Sequence, residues 1–336
     1  MVGPIPASWS IPAEQASARE VAAGVWRLRL PTAWDGIPHV NAYAVERDDG
    51  VLLVDCGTAG DETCWEALRK ALADAGLALA DVRLLAATHA HSDHVGLAAR
   101  VVDETGCAFA MHPDHEHLYA IMREPARYEA ARERRARQEG VPDDLLHLYR
   151  DVSEEVDGVL APVEPAVALV PGATLASAAG EWRVVETPGH APSHVCLYRE
   201  SDRVLLAGDL VTPVFAPFFD YGFSPDPVAE FLGSLDAVAA LEPDVLLPGH
   251  GRALERAVLD DHREATQARL EATLRAVRSE PAGGYELTER IHEQPAPPMF
   301  RVWQLVEVAG YLRHLRLTGR VVRDELADGR FRHRAA

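Results

Sequence analysis

Apolar residues in this chain fall into short runs that stop abruptly at small or polar turns. Val82 to Ala87 is one such run and predicts a buried strand. It breaks into Thr88-His89-Ala90-His91-Ser92-Asp93-His94, after which Val95 to Val102 predicts a helix. Three later runs end in the same way. Trp182 to Glu186 leads into Thr187-Pro188-Gly189-His190, Val204 to Ala207 into Gly208-Asp209, and Val245 to Leu247 into Pro248-Gly249-His250. Nearer the start, Gly24 to Leu30 alternates as a strand does, and Val40 to Glu46 with Val51 to Val54 reads as a hairpin across Arg47-Asp48-Asp49-Gly50. Glu62 to Ala75 has the spacing of an amphipathic helix whose apolar face is Trp65, Leu68 and Leu72. Met1 to about Ala22, rich in Pro and Ala, reads as irregular.

Between His112 and about Pro165 the pattern changes. Glu124 to Gly140 is densely charged, and Leu145, Leu148 and Tyr149 follow at helical spacing, so two or more helices are expected, inserted as a cap. His112, His115 and His117 open this segment and read as capping and surface residues. After Asp209 comes an aromatic loop, and Phe218, Phe219 and Tyr221 are candidates to wall a site, with Tyr149 of the cap. Asp226-Pro227 starts a helix. Beyond His250, Leu254 to Ser279 predicts a long charged helix, Pro281-Ala282-Gly283-Gly284 breaks it, and Thr288-Glu289 caps a short helix. Val302 to Leu317 predicts a longer one, and a hairpin forms about Asp328-Gly329.

His89 and His91 are two apart, so on extended backbone their side chains point the same way. Asp93 and His94 follow where the chain turns into the helix. Imidazoles and a carboxylate at this spacing suit zinc, manganese or iron. The order HxHxDH, PGH, GD, GH, spread from about Gly24 to Gly251, resembles the metallo-β-lactamase superfamily, and within it the glyoxalase II-like branch. The resemblance implies an α/β fold, a four-layer αββα sandwich. It also implies two adjacent divalent metal ions, zinc first, with iron or manganese as alternatives. His89, His91 and His190 would hold one, Asp93, His94 and His250 the other, and Asp209 would bridge them. Asp55 would hydrogen-bond around the ligand turn. Lactamases of the zinc thiolate type place Cys where this chain has Asp209, and flavin-linked diiron relatives carry Glu at the position of His91. Both departures point away from those activities.

The C-terminal helices and hairpin look like the winged helix appended to some lactamase-like endoribonucleases. The expected organisation is a catalytic domain over 1–250 with its cap at about 112–165, a connecting helix over 251–280, and a winged-helix-like domain over 281–336. Arg330, Arg332 and Arg334 on the wing could meet phosphates, which makes a nuclease acting on RNA the second functional reading. The favoured role of the module is to pack on the catalytic domain, or on a second subunit of a homodimer.

Charge bears on that choice. Residues 1–250 carry 18 Lys and Arg against 39 Asp and Glu, and residues 251–336 carry 15 against 13. An acidic catalytic half repels polyanions at long range, which favours a small-molecule substrate over nucleic acid. A hydrophobic content of 48% is that of a globular chain. No run approaches the roughly 20 apolar residues of a membrane span, and no signal peptide is visible, so a cytoplasmic location is expected. Cys56, Cys64, Cys107 and Cys196 form no CxxC pair and are expected to be free thiols. The expected reaction is hydrolysis: two cations lower the pKa of a shared water toward about 7, and hydroxide attacks a small ester, thioester or lactone carbonyl, with Asp93 and Asp209 as catalytic carboxylates. A mononuclear-iron dioxygenase on the same scaffold is a third reading.

Overall fold

The structure, a computed structural model, describes residues 17–34, 37–219, 222–292 and 298–336. Among these residues two β-sheets lie face to face. The first holds β1 (Ala18–Ala22), β2 (Val25–Trp34), β3 (Ile37–Arg47), β4 (Gly50–Val54), β5 (Val82–Ala86), β6 (Ala108–Met111) and β7 (Val167–Ala168), in that order across the sheet. Its first four strands are antiparallel neighbours, and β4 through β7 run parallel. The second sheet has the order β12-β11-β10-β9-β8, from β8 (Thr174–Ser177), β9 (Gly180–Glu186), β10 (Val195–Arg199), β11 (Val204–Gly208) and β12 (Val245–Pro248). The N-terminal stretch read as irregular therefore contributes a strand, β1, which pairs with β2.

Period-2 alternation sorts the side chains into layers. On β4, Leu52 and Val54 turn inward to meet Trp182, Val184, Leu197 and Leu206 of the second sheet. Val51 and Leu53 turn outward onto Trp65, Leu68 and Leu72 of α1 (Glu62–Asp74). The second sheet does the same. Tyr198, Leu205 and Leu246 face outward onto Phe231, Leu235 and Val238 of a later helix, α8 (Pro227–Ala239). Helix, sheet, sheet, helix is the four-layer αββα order expected. It puts the C-terminal ends of β5, β9, β11 and β12 along one edge.

At that edge the ligand turn holds two short helices, α2 (Ser92–Val95) and α3 (Ala98–Thr105), where one continuous helix was expected. The cap contains α4 (Glu116–Arg123), α5 (Pro125–Gln138), α6 (Leu146–Arg150) and α7 (Ser153–Asp157). The C-terminal region contains α9 (Ala257–Ser279), α10 (Gly284–Ile291), α11 (Pro298–Leu317) and the hairpin β13 (Val321–Glu325) with β14 (Phe331–Ala335). Thr288 lies inside α10 instead of capping it, its hydroxyl donating to Gly284 O at 2.8 Å.

This region is not a separate globule. Val308, Tyr311, Leu312 and Leu315 of α11 share one core with Phe231 of α8 and Leu205 of β11. The cap joins it through a second cluster, in which Ala136, Val141, Leu146 and Tyr149 pack on Leu305. Among the described residues no helix is long and apolar enough to cross a membrane. All four cysteines are free and buried.

Candidate metal centre

The strand ends converge. His89, His91 and His190 form one group of potential ligands, Asp93, His94 and His250 a second, and His89, His94 and Asp209 a third that joins them; within each group the donor atoms lie within 4.8 Å of one another. His91 Nδ1 stands 3.0 Å from His89 Nε2 and 3.0 Å from His190 Nε2, and the latter two are 3.3 Å apart. Asp209 Oδ2 is 3.2 Å from His250 Nε2 and 3.8 Å from His190 Nε2, so this carboxylate sits between the groups. Asp93 Oδ2 is 3.2 Å from His250 Nε2 and 3.5 Å from His94 Nε2.

The residues packed behind these rings decide which nitrogen faces inward. His94 Nδ1 donates to Asp55 Oδ2 at 2.8 Å, His250 Nδ1 to the backbone carbonyl of His39 at 2.9 Å, and His190 Nδ1 to that of Phe218 at 3.1 Å. Thr88 Oγ1 donates to Asp55 Oδ2 at 2.9 Å, and is thereby left to accept from His89 Nδ1 at 3.0 Å. With its outward nitrogen bonded to an acceptor, each ring turns Nε2 toward the others, free to ligate wherever that nitrogen gives up its proton. Lone pairs that face one another repel unless a cation lies among them. His94 Nε2 and Asp209 Oδ1, 3.5 Å apart, are both buried with no hydrogen-bond partner. A tetrahedral site with metal–nitrogen bonds of about 2.0–2.1 Å sets its ligand atoms roughly 3.3 Å apart, close to the spacing here. The residues fit divalent cations.

Electrostatics agree. Burial holds His89 well below its usual range, with the neighbouring imidazoles adding to the effect, so this ring is neutral and ready to ligate. Burial opposes the charged form of His250 too, but the Asp209 and Asp93 carboxylates outweigh it and lift that ring to about 10. Burial likewise works against the ionised Asp209, yet His250 and His94 hold it well below the usual carboxylate range. In the protein alone these protons do what cations would do.

Close approach explains the glycines. A Cβ on Gly249 would overlap Asp209 Oδ1 and come within 2.7 Å of His94. Gly189, at φ +122°, leaves no room beside the Phe231 backbone at 2.5 Å. Asp55 itself sits at φ 59°, a left-handed conformation that aims its carboxylate at the ligand turn and lets it also accept from Thr88 N at 2.8 Å.

Several expectations need correction. Phe219 does not wall the cavity. It is fully buried, stacked edge-on against Phe231 and Tyr311, and Gly310 leaves room for its ring. Phe218 and Tyr149 do line the cavity, and Tyr221 lies outside the described residues. His39 is buried on β3, and its carbonyl positions His250. His112, His115 and His117 are buried, not surface residues. His112 does cap, accepting from Asp114 N at 3.1 Å. His117, expected on the surface, faces the candidate site. It enters the cavity from α4, with its ring 5.9 Å from that of His91. Ser193 links it to the ligand turn, meeting His117 Nε2 at 3.0 Å and accepting from Ala90 N at 3.0 Å. The HPDHEH spacing was the available signal. His194 accepts from Asp209 N at 2.9 Å and so holds the backbone of the central carboxylate.

The cavity above the cluster has a volume of about 770 Å³ and is bounded by the cap, the loop after β11, and α11.

A family model described as the metallo-beta-lactamase superfamily matches residues 35–250, the stretch that carries all seven of these histidines and aspartates. This chain belongs to that superfamily. The match supports the expected enzyme class, a hydrolase of the superfamily, as well as the fold. Among curated proteins, a probable metallo-hydrolase, YqjP of Bacillus subtilis, is 25% identical over 275 residues, covering 79% of this chain and 83% of its own. A hydroxyacylglutathione hydrolase of Acidiphilium cryptum is 34% identical over 145 residues, 42% of this chain and 58% of its own. Among solved structures, a metallo-beta-lactamase family protein of Thermus thermophilus superposes with a TM-score of 0.81 at 28% identity, covering 94% of this chain and 100% of that one. A beta-lactamase domain protein of Burkholderia ambifaria gives 0.80 at 26% identity, covering 99% and 97%.

Proposed function

We propose that this superfamily hydrolase carries two divalent cations, zinc first, and cleaves a small ester, thioester or lactone in the manner of the glyoxalase II-like branch. The observation that carries the reading is the set of inward-facing lone pairs: every ring nitrogen behind His89, His94, His190 and His250 is tied to an acceptor, which leaves His/Asp ligands and no thiolate facing the centre. In this assignment His89, His91 and His190 would hold one cation and Asp93, His94 and His250 the other, with Asp209 shared between the two groups. When bound, such cations supply an activated water at neutral pH and offset the charge that develops on the carbonyl oxygen. The chain's own residues do the rest. Asp55 and the His39 and Phe218 carbonyls fix the ring tautomers, and His194 fixes the Asp209 backbone. In the net reaction, water oxygen bonds to the carbonyl carbon and the bond to the leaving oxygen or sulfur breaks, its electron pair staying on that atom with a proton. His117, facing the same space from the cap, is placed to hydrogen-bond a substrate there. The similarity to a hydroxyacylglutathione hydrolase supports a carbonyl substrate.

The C-terminal helices and hairpin serve, in this reading, as a winged-helix-like module recruited to wall the cavity. The nuclease alternative draws less support, because two of the wing arginines are already paired, Arg330 with Asp328 at 2.7 Å and Arg334 with Asp324 at 2.7 Å.

The test is metal content by elemental analysis together with turnover of thioesters, lactones, aryl esters, a phosphodiester and single-stranded RNA. The expected result is two equivalents of metal, with hydrolysis of carbonyl substrates only. Asp209→Ala and His190→Ala should each lose bound metal and at least roughly a hundredfold in kcat/KM. Full activity with metal retained in either variant would sink the assignment.

A further inference from the structure

Two lines of aromatic rings lead away from the ligand cluster and bound the cavity. On one side the rings of His91 and His190 stand 5.7 and 5.9 Å from Phe218. Phe218 is 5.7 Å from Trp303, and Trp303 is 5.5 Å from Phe300. On the other side His117 is 5.5 Å from Phe223, which stacks at 20° on Tyr128 with centroids 6.2 Å apart. One line runs onto α11 and the other onto the cap. Both start beside His91.

These rings differ from the aromatics of the core. Trp65, Trp182, Phe219 and Tyr311 are fully buried, whereas Phe218, Phe223, Phe300, Trp303 and Tyr128 are only half-buried and all border the cavity. Folding has left their faces and edges turned toward a space that opens onto the metal ligands. Two of the three arginines along that wall are engaged, Arg132 with Glu155 and Arg135 at 3.9 Å from Glu139, while Arg134 is exposed. A plain alkyl chain needs only aliphatic lining, but rings with a negative face and positive edge favour another ring in offset or edge-on contact. The volume, about 770 Å³, lies within the range of sites that enclose a drug-sized ligand.

From this we infer that the acyl group of the substrate carries a flat aromatic ring, which the two lines of rings receive while the carbonyl lies at the ligand cluster. The inference rests on the carbonyl-hydrolase reading and narrows it to aromatic acyl esters or thioesters.

The experiment uses the full metal-loaded chain and thioesters of one short thiol carrying benzoyl, 2-naphthoyl, cyclohexanecarbonyl or octanoyl groups. Each kcat/KM is divided by the compound's own rate with hydroxide, which removes intrinsic reactivity. The expected result is at least a roughly tenfold preference for the aryl thioesters over cyclohexanecarbonyl. Trp303→Leu and Phe223→Leu keep an apolar side chain but remove a ring, and each should lower that preference roughly twofold to tenfold. Binding of 2-naphthoate against cyclohexanecarboxylate, followed by calorimetry, gives the same comparison without turnover. A preference for cyclohexanecarbonyl or octanoyl, or an aryl preference intact in the Trp303→Leu/Phe223→Leu double variant, overturns the inference and leaves the hydrolase reading standing. No turnover of any carbonyl substrate overturns both.

Discussion

Asp55 shows how one residue outside the ligand set controls it. Its two oxygens accept hydrogen bonds from Thr88 N, Thr88 Oγ1 and His94 Nδ1, so one carboxylate fixes the ligand turn and the tautomers of two rings. Removing it should leave the fold in place but let His89 and His94 rotate. Asp55→Ala is expected to weaken metal binding about 10–100-fold, measured by competition with a chromophoric chelator; unchanged affinity would show the rings to be held by packing alone. The convergence of these histidines and aspartates was legible in the sequence because each follows an apolar run and three stand beside a glycine. Asp55 was legible through the family pattern. The backbone carbonyls of His39 and Phe218 were not, since a carbonyl leaves no trace in residue type. Phe219 was misread for a related reason: adjacent loop aromatics carry no periodicity to say which faces the core.

At the scale of elements, the cap and the C-terminal hairpin meet at a buried contact. His333 of β14 and Glu139, just past α5, are both buried and hydrogen-bonded at 3.0 Å, and Glu139 O accepts from Tyr285 N of α10 at 2.9 Å. Tyr149 of α6 donates to Arg301 O of α11 at 3.4 Å. His333→Ala leaves a buried carboxylate short of a partner, with an expected loss of about 1–3 kcal/mol in denaturant unfolding. Because Glu139 borders the cavity and the contact anchors it to the C-terminal region, KM should rise more than kcat falls. A stability loss with unchanged KM would separate the contact from the site. Strands and helices of both halves were predicted well where alternation or amphipathic spacing ran for several residues. The ligand helix was not, because Gly96 and the close packing around it divide a stretch whose pattern is continuous.

For the whole molecule, the C-terminal region contains a second polar cluster inside the shared core. Glu307 on α11 lies 3.8 Å from Arg269 of α9 and 3.6 Å from His292 past α10, with Tyr311 a turn away. Burial raises Glu307 to about 7 despite Arg269, and burial lowers His292 to about 4. The signs oppose each other. A raised carboxyl pKa means the folded chain keeps a proton that the unfolded chain has lost, so this group's contribution falls as pH rises from about 4.5 through 7. The depressed His292 works the other way, its contribution growing up to about 6.5. Glu307→Gln removes only the first effect. Its stability relative to the parent should therefore climb by up to about 3 kcal/mol between about pH 4.5 and pH 8, read from thermal melts at matched ionic strength. A difference that stays flat with pH would mean that Glu307 is ionised throughout. The boundary expected near residue 250 marks the end of the ligand pattern, but packing continues through it, because α9 and α11 cover the outer face of the second sheet. Sequence could locate those helices without saying what they lie against.

The two ring-lined walls come from segments at 118–151 and 298–317, joined by the loop after β11, while the ligands sit on turns fixed by the two sheets. In the proposed function, catalytic floor and substrate walls come mostly from separate stretches of the chain, with the loop after β11 serving both through Phe218. Mutation of a wall side chain outside that loop would then redraw what enters without touching the converging histidines and aspartates. Such a scaffold is free to diversify: descendants can drift between acyl groups by changing Tyr128, Phe223, Phe300 or Trp303 one at a time, each step keeping a working centre underneath.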